Sequence, residues 1–416
     1  MTPAPARTSQ VAAAALVLVA CLLTGWPNGA GATAASAASA AGPAGGRAER
    51  AKDSAKDSGK GSGKTQAQAR TKTKSSAKSS GHSSPKAAAV AAAAAPAAAA
   101  AEAYGARPDV VAFAQEVAQR RGLDPQWVQA QLAQARLVPA VQRLIMPPPA
   151  GTAKNWAAYR ARFIDRARIE AGLQFWRTHA TWLERAQARW GVPAEVVVAV
   201  IGVETFYGRH MGSFRVLDAL ATLSFDFPRG RSDRSAFFRE ELEALLVMAR
   251  REGVEAGHWR GSFAGAMGLP QFMPGSLARW AVDFDDNGHI DLHTSAADAV
   301  GSVAHYLSAF GWRAGLPTHY RVAAPVDTRD RAVLLGPDIL PTFTAAQFAE
   351  RGAELPPEAR EHQGLLALVE LQNGEAAPSY VAGTTNFYAV TRYNWSAYYA
   401  MAVIDLAQEL HRARKP

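Results

Sequence analysis

The chain has 416 residues, 48% of them hydrophobic, which is room for a sizeable core and two or three domains. Its formal charge of +9 sits in one stretch: residues 47–86 hold eleven Lys/Arg against three Asp/Glu, Arg7 adds one, and residues 87–416 sum to zero. A nucleic-acid-binding domain carries its charge on its folded surface, so this balance argues against nucleic acid as a partner, and the single cysteine, Cys21, excludes a disulfide framework.

The N-terminus, MTPAPARTSQVAAAALVLVACLLTGWPNGAGATAASA, has one Arg, an apolar run and then small residues, the pattern of a signal peptide over 1–36. The run is too short for a comfortable transmembrane span. LVAC at Cys21 has the form of a bacterial lipobox, and ATA offers a later cut, so a lipidated and an unlipidated product both stand. Residues 37–103 are rich in Ala, Ser, Gly and Lys and hold no aromatic residue. Such a segment cannot bury enough apolar surface to fold and reads as a disordered tether.

Helical periodicity starts at Tyr104. An α domain is expected over 104–185, with Asp124-Pro125 as a helix start. A core region follows over 186–316. GVPAEVVVAVIGVETFYG predicts a helix with Pro193 in its first turn and an end near Gly208. AFFREELEALLVMARREG and AADAVGSVAHYLSAFGW are also helical. Over 317–383 the pattern shifts to short β-like pieces, HYRVAAPV and ALVEL, with an Asn373-Gly374 turn. Residues 384–416 return to a helix in SAYYAMAVIDLAQELHRAR. The expected class is mainly α (α+β) with a small β insert.

Three stretches carry candidate chemistry. In the first, Glu204 follows eight residues without a hydrogen-bonding side chain, VVVAVIGV. That helix is apolar on every face and therefore buried, and Glu204 lies near its negative C-terminal end. Desolvation and dipole both favour the protonated carboxyl, as a general acid requires. A Glu paired with Arg209, or capped by water, is the structural alternative. In the second stretch, GSFAGAMGLPQFMPGS, glycines admit a close ligand while Phe and Met offer apolar faces and Ser262 and Gln271 hydrogen bonds. That mixture suits a sugar, and equally a tight packed loop. It lacks the Walker lysine of a phosphate loop. The third stretch, DFDDNGHIDLHT, puts Asp283, Asp285, Asn287 and Asp291 at positions 1, 3, 5 and 9 of an EF-hand loop, with Gly288 at position 6. His289 would give its carbonyl. Thr294 replaces the usual Glu, and Asp298 is placed to close the shell; an ordinary Asx-rich turn is the alternative.

Together, IGVETFYGRHMG, LDALATLSFDFPR, GSFAGAMGLPQFMPGS, the loop from Asp283 and NFYAVTRYN resemble the membrane-bound lytic murein transglycosylase B family, in order from Tyr104 onward. The resemblance implies a lysozyme-like helical core and cleavage of the MurNAc–GlcNAc bond of peptidoglycan to a 1,6-anhydro-muramoyl end. It implies Glu204 as the catalytic acid, with Ser262, Gln271 and Asn394 binding substrate. Phe272, Tyr306, Tyr393 and Tyr399 become aromatic sugar contacts, and Arg229 meets the peptide stem. The family's paired arginines are split here as PRGRSDRS, which leaves Arg231 as candidate for the second role. A structural Ca2+ on Asp283, Asp285, Asn287, His289 and Asp298 is implied, in a loop one residue longer before Asp298 than the common form. No organic cofactor is expected. The implied partner is the peptidoglycan strand and the implied place is the periplasm, with a monomer tethered to the outer membrane if Cys21 carries lipid. Two rivals remain. A hydrolytic muramidase would want a second carboxylate, for which Asp218 and Asp226 are the nearby candidates, although both read as structural. A non-catalytic, calcium-stabilised wall-binding protein would not need to keep the acid within its full motif.

Overall fold

Caps and prolines set most helix starts. The computed structural model describes residues 104–147 and 154–414. The expected signal peptide over 1–36, with Cys21, and the tether over 37–103 lie outside them. After one 3-10 turn come α1 (Pro108–Arg121), α2 (Pro125–Ala133) and α3 (Pro139–Leu144), each opened by a proline whose missing N–H is not needed there. Asp124 caps α2 by accepting the Gln126 N–H at 2.9 Å. Asn155 and Asp165 cap α4 (Trp156–Arg160) and α5 (Arg166–Thr178) in the same way. Next come α6 (Ala180–Trp190), α7 (Ala194–Thr205), the two-residue strand β1 (Phe214–Arg215), α8 (Val216–Phe225) and α9 (Ser235–Glu252). The strand β2 (Arg260–Gly261), α10 (Pro274–Trp280) and α11 (Ala296–Ala309) complete the region before the insert.

The insert expected as β holds β3 (His319–Arg321), β4 (Ala367–Asn373) and β5 (Ala376–Gly383) in one antiparallel sheet of order β3-β5-β4. It also holds three helices that the β reading did not name: α12 (Thr328–Leu335), α13 (Ala345–Glu350) and α14 (Pro357–Arg360). Their starts are chemical. Asp327 accepts the N–H groups of Arg329 and Asp330, and Thr344 with Gln347 forms a capping box. Finally α15 (Thr385–Thr391) and α16 (Ala397–Arg414) return to the helical body.

One hydrophobic core runs from Tyr104 to Leu410 and crosses the expected boundary between 185 and 186. A second, smaller core around Phe348, Leu366 and Leu368 belongs to the insert. At the centre of the large core is α7, packed on by α5, α6, α11 and α16. It buries ten of its twelve residues, which is why it can be apolar all round. Pro193 stands just before this helix as its N-cap, with ψ 141, rather than inside the first turn. The helix stops at Thr205, earlier than Gly208, because Phe206 and Tyr207 both take left-handed backbone angles (φ 51 and 56).

That reversal folds Tyr207 back into a notch between α7 and α5. A Cβ on Gly202 would lie 2.4 Å from the Tyr207 hydroxyl oxygen, and one on Gly172 of α5 would lie 2.3 Å from it. Two glycines on facing helices thus make room for one phenol, which fixes the last turn of α7. Gly202→Ala should overpack this notch and cost about 1–3 kcal/mol of stability. A melting curve of the variant checks this; an unchanged Tm would mean that Tyr207 moves aside freely.

Candidate active site

Glu204 sits half-buried in the last turn of α7, where the apolar run and the neighbouring helices keep most water from its carboxyl. Burial pushes its pKa from 4.5 up to about 7, against the one bond that favours the charged form, donated by the Tyr399 hydroxyl to Oε1 at 2.6 Å. Tyr399 projects from the first turn of α16 and is itself fully buried. Arg209, the alternative partner for Glu204, instead lies over the Phe206 ring at 4.6 Å. The second-carboxylate candidates are engaged elsewhere. Asp218 accepts the Arg136 N–H and pairs with Arg215, while Asp226 accepts from the Tyr104 hydroxyl and from Arg107, both at 2.7 Å.

Aromatic rings wall the acid. Tyr306 of α11 lies 4.6 Å from Tyr393 and 5.5 Å from Phe272, centroid to centroid, and Tyr393 stacks on Tyr399 at 6.2 Å. The Tyr306 hydroxyl donates to the Arg392 carbonyl at 2.8 Å, whereas the buried Tyr393 hydroxyl has no partner among the described residues. Burial first, and then the Glu204 charge, pushes the Tyr393 phenol far up, so it stays protonated and can donate. Asn394 follows directly, with its backbone N–H on Thr391 and its side-chain amide without a partner among the described residues. The wall continues to Phe310 and Trp280, which the sequence reading did not name. Phe310 lies one helical turn after Tyr306 and 4.6 Å from it, a spacing legible in HYLSAF. Trp280, 5.0 Å from Tyr306, carried no such signal.

The Gly-rich loop closes another side. Thr205, next to Glu204, is fully buried; its hydroxyl lies 2.9 Å from the Leu269 carbonyl and accepts the Gly208 N–H at 3.0 Å. The helix end and the loop are thereby tied together. Ser262 accepts the Ala266 N–H at 3.0 Å, so its oxygen supports the turn while its O–H remains to donate. Gln271 has a left-handed backbone (φ 50) and turns its amide nitrogen onto Met211 and Gly268. Its carbonyl oxygen is left without a protein donor among the described residues. Arg229 lies apart from this group, exposed on the rim of a cavity of about 430 Å³ that Arg231 and Arg239 also line. Ser224, whose buried hydroxyl has no partner among the described residues, lines the same cavity.

The loop from Asp283 gathers three carboxylates, Asp283, Asp285 and Asp298, whose oxygens lie within 4.8 Å of one another. Burial first, with Asp285 and Asp283 adding, raises Asp298 above the usual carboxyl range. Asp285 Oδ1 is buried without a partner among the described residues. Crowded carboxylates with an orphaned oxygen fit a hard divalent cation. Local hydrogen bonds order the loop: Asp283 accepts the Asn287 and Gly288 N–H groups, Asn287 Oδ1 accepts the His289 N–H at 2.9 Å, and Asp291 accepts from the His293 and Thr294 N–H groups. The loop is joined to the site, because the Leu269 N–H donates to the Leu292 carbonyl at 2.8 Å.

The chain's relatives can now be set beside this geometry. The Transglycosylase SLT domain family matches residues 105–408. Membrane-bound lytic murein transglycosylase B of Escherichia coli (strain K12) is 40% identical over 319 residues, which is 75% of this chain and 85% of that one. Among solved structures, the soluble lytic transglycosylase SltB1 from Pseudomonas aeruginosa is 39% identical, covers 74% of this chain and 100% of its own, and has a TM-score of 0.66. The Escherichia coli lytic transglycosylase Slt35 in complex with calcium is 37% identical, over 74% of this chain and 94% of its own, with a TM-score of 0.63.

Raising the Glu204 pKa has a stability cost with a definite sign. Below about pH 4.5 the folded and unfolded chains both hold the proton and nothing is lost. As pH rises to about 7 the unfolded chain releases it first, so stability falls, by on the order of 3 kcal/mol once both are ionised. Glu204→Gln should therefore gain on the parent chain between pH 4 and pH 8. Urea unfolding at the two pH values measures this, and an equal difference at both would mean that the carboxyl is not desolvated.

Proposed function

Because the chain belongs to the transglycosylase SLT family, we propose that Glu204 is the lone acid and base of its reaction. The chain is a lytic transglycosylase of peptidoglycan. The observation that carries the residue assignment is one carboxyl, pushed up to about 7 by burial, with a single hydrogen bond and no carboxylate partner among the described residues.

Protonated Glu204 donates to the glycosidic oxygen as the bond to the muramoyl C1 breaks. The substrate's own 2-acetamido carbonyl stabilises the charge growing at C1, so no second enzyme carboxylate is required, which departs from the two-carboxylate scheme. The ionised Glu204 then takes the proton of the C6 hydroxyl, whose oxygen closes on C1. Tyr399 occupies Oε1 and leaves Oε2 to carry the proton in both steps. Tyr393, Asn394, Ser262 and the Gln271 carbonyl supply unused donors and an acceptor for the sugar's amide and hydroxyls. The rings of Phe272 and Tyr306 supply the apolar wall. Arg229 and the cavity beside it suit the carboxylates of the peptide stem. In this reading the enzyme works as a periplasmic monomer, held to the outer membrane when Cys21 carries lipid and otherwise free.

Calcium on Asp283, Asp285 and Asp298 stiffens the loop that backs the Gly-rich loop and takes no part in bond cleavage. At a hundredfold excess over its Kd a folded-state ligand adds about 2.7 kcal/mol. Calcium should thus raise the Tm by several degrees, a chelator should reverse the rise, and Asp298→Asn should abolish it. A Tm indifferent to calcium would reduce the loop to an Asx turn.

Products from purified cell wall test the reaction itself. Anhydro ends, lighter by one water than reducing ends, should dominate. Glu204→Gln should still bind glycan but lose turnover by about 10² to 10⁴-fold. Mostly reducing ends would make the enzyme a muramidase, and an active Gln variant would remove Glu204 from the mechanism.

A further inference from the structure

Trp395 lies against the Arg392 guanidinium rather than in a hydrophobic core. Of the ten tryptophans, Trp26 lies outside the described residues; of the other nine, Trp395 alone joins neither hydrophobic core. Its backbone is left-handed (φ 45), a conformation that bulky residues avoid and that persists at ligand clamps. The residue is half-buried.

What holds the ring is Arg392. The guanidinium lies 3.9 Å from the indole centroid, the shortest such distance among the described residues. Arg392 is itself fixed. It lies 5.0 Å from the Phe310 ring, its Nη1 donates to the Tyr388 hydroxyl at 3.3 Å, and its carbonyl accepts from Tyr306. A row therefore leads away from the acid: Glu204, Tyr399, Tyr393, Tyr306, then Arg392 and Trp395. Asn394, with its free amide, lies between the last two in sequence.

We propose that Trp395, backed by Arg392, is a stacking platform for a further N-acetylated sugar of the glycan strand, one that does not react. The proposal rests on the reading of Glu204 as the acid of a glycan-cleaving site. An indole face matches the C–H face of a pyranose, and an adjacent amide matches its acetamido group. Because Arg392 and the tyrosine pair separate Trp395 from Glu204, the platform grips the strand away from the bond that breaks. It adds affinity only for strands long enough to reach it.

Glycan strands of graded length, released from purified wall and separated by size, provide the test. In Trp395→Ala the ratio of kcat/KM on long strands to kcat/KM on the shortest cleaved strand should fall about tenfold, the size of one aromatic contact. The change should appear mainly in KM. Trp395→Phe, which keeps a ring, should restore most of the ratio, and it guards against an Ala variant that disturbs the turn. Equal losses at every length in both variants would mean that Trp395 shapes the turn around Asn394, and would overturn the platform. So would an unchanged ratio in Trp395→Ala. Full activity in Glu204→Gln would instead overturn the reading of Glu204 on which the platform rests.

Discussion

A carboxyl buried among apolar side chains with one phenol as its partner is an unfavourable arrangement, and much of this fold serves to maintain it. The free energy of charging Glu204 is set by α5, α6, α11 and α16, which leave its side chain half-buried and bring it no charged partner among the described residues. Tyr399 then offsets part of that burden by donating to Oε1. Without the apolar helix the group would be an ordinary surface Glu, ionised and useless as an acid near neutral pH. Without Tyr399 it would be harder to ionise for the second half of the reaction. The site works between these limits.

Holding the carboxyl still is a separate problem, met by strain and by ties between loops. Phe206, Tyr207, Gln271 and Trp395 are all non-glycine residues with positive φ, and all lie in or beside the segments that form the site. Thr205 joins the helix end to Leu269, and Leu269 joins the Gly-rich loop to Leu292 in the loop of carboxylates. Gly268 permits that approach, since a Cβ there would lie 2.4 Å from the Leu292 carbonyl oxygen. On the other side, the tip of the β4–β5 hairpin bonds to Tyr398 through Gln372, one residue before Tyr399. The insert thereby buttresses the helix that supplies the phenol.

Sequence made the acid legible because its signal is local: eight apolar residues and one carboxylate can be seen without knowing what packs on them. The helical body followed from periodicity, and the EF-hand spacing marked the carboxylate loop. Other features depend on contacts distant in sequence. No pattern near Tyr399 announces that it will meet Glu204, 195 residues away; only the family resemblance marked it. The insert's helices were missed because short elements have weak periodicity, although Asp327 and the Thr344–Gln347 capping box were readable signals. The EF-hand spacing marked Asp283 and Asp285, whereas the approach of Asp298 from the first turn of α11 depends on how the loop closes.

The central claim is that burial raises Glu204 and that Tyr399 holds it down to about 7. The measurement that tests it most directly is the pH dependence of kcat/KM, in the parent chain and in Tyr399→Phe. The parent should lose activity above about pH 7 as the acid ionises. In Tyr399→Phe, removing the one bond that favours the charged carboxylate should move this alkaline limb to higher pH, even as the rate falls. A limb that stays in place in the variant, or that lies near the ordinary carboxyl value of 4.5 in the parent, would contradict the account.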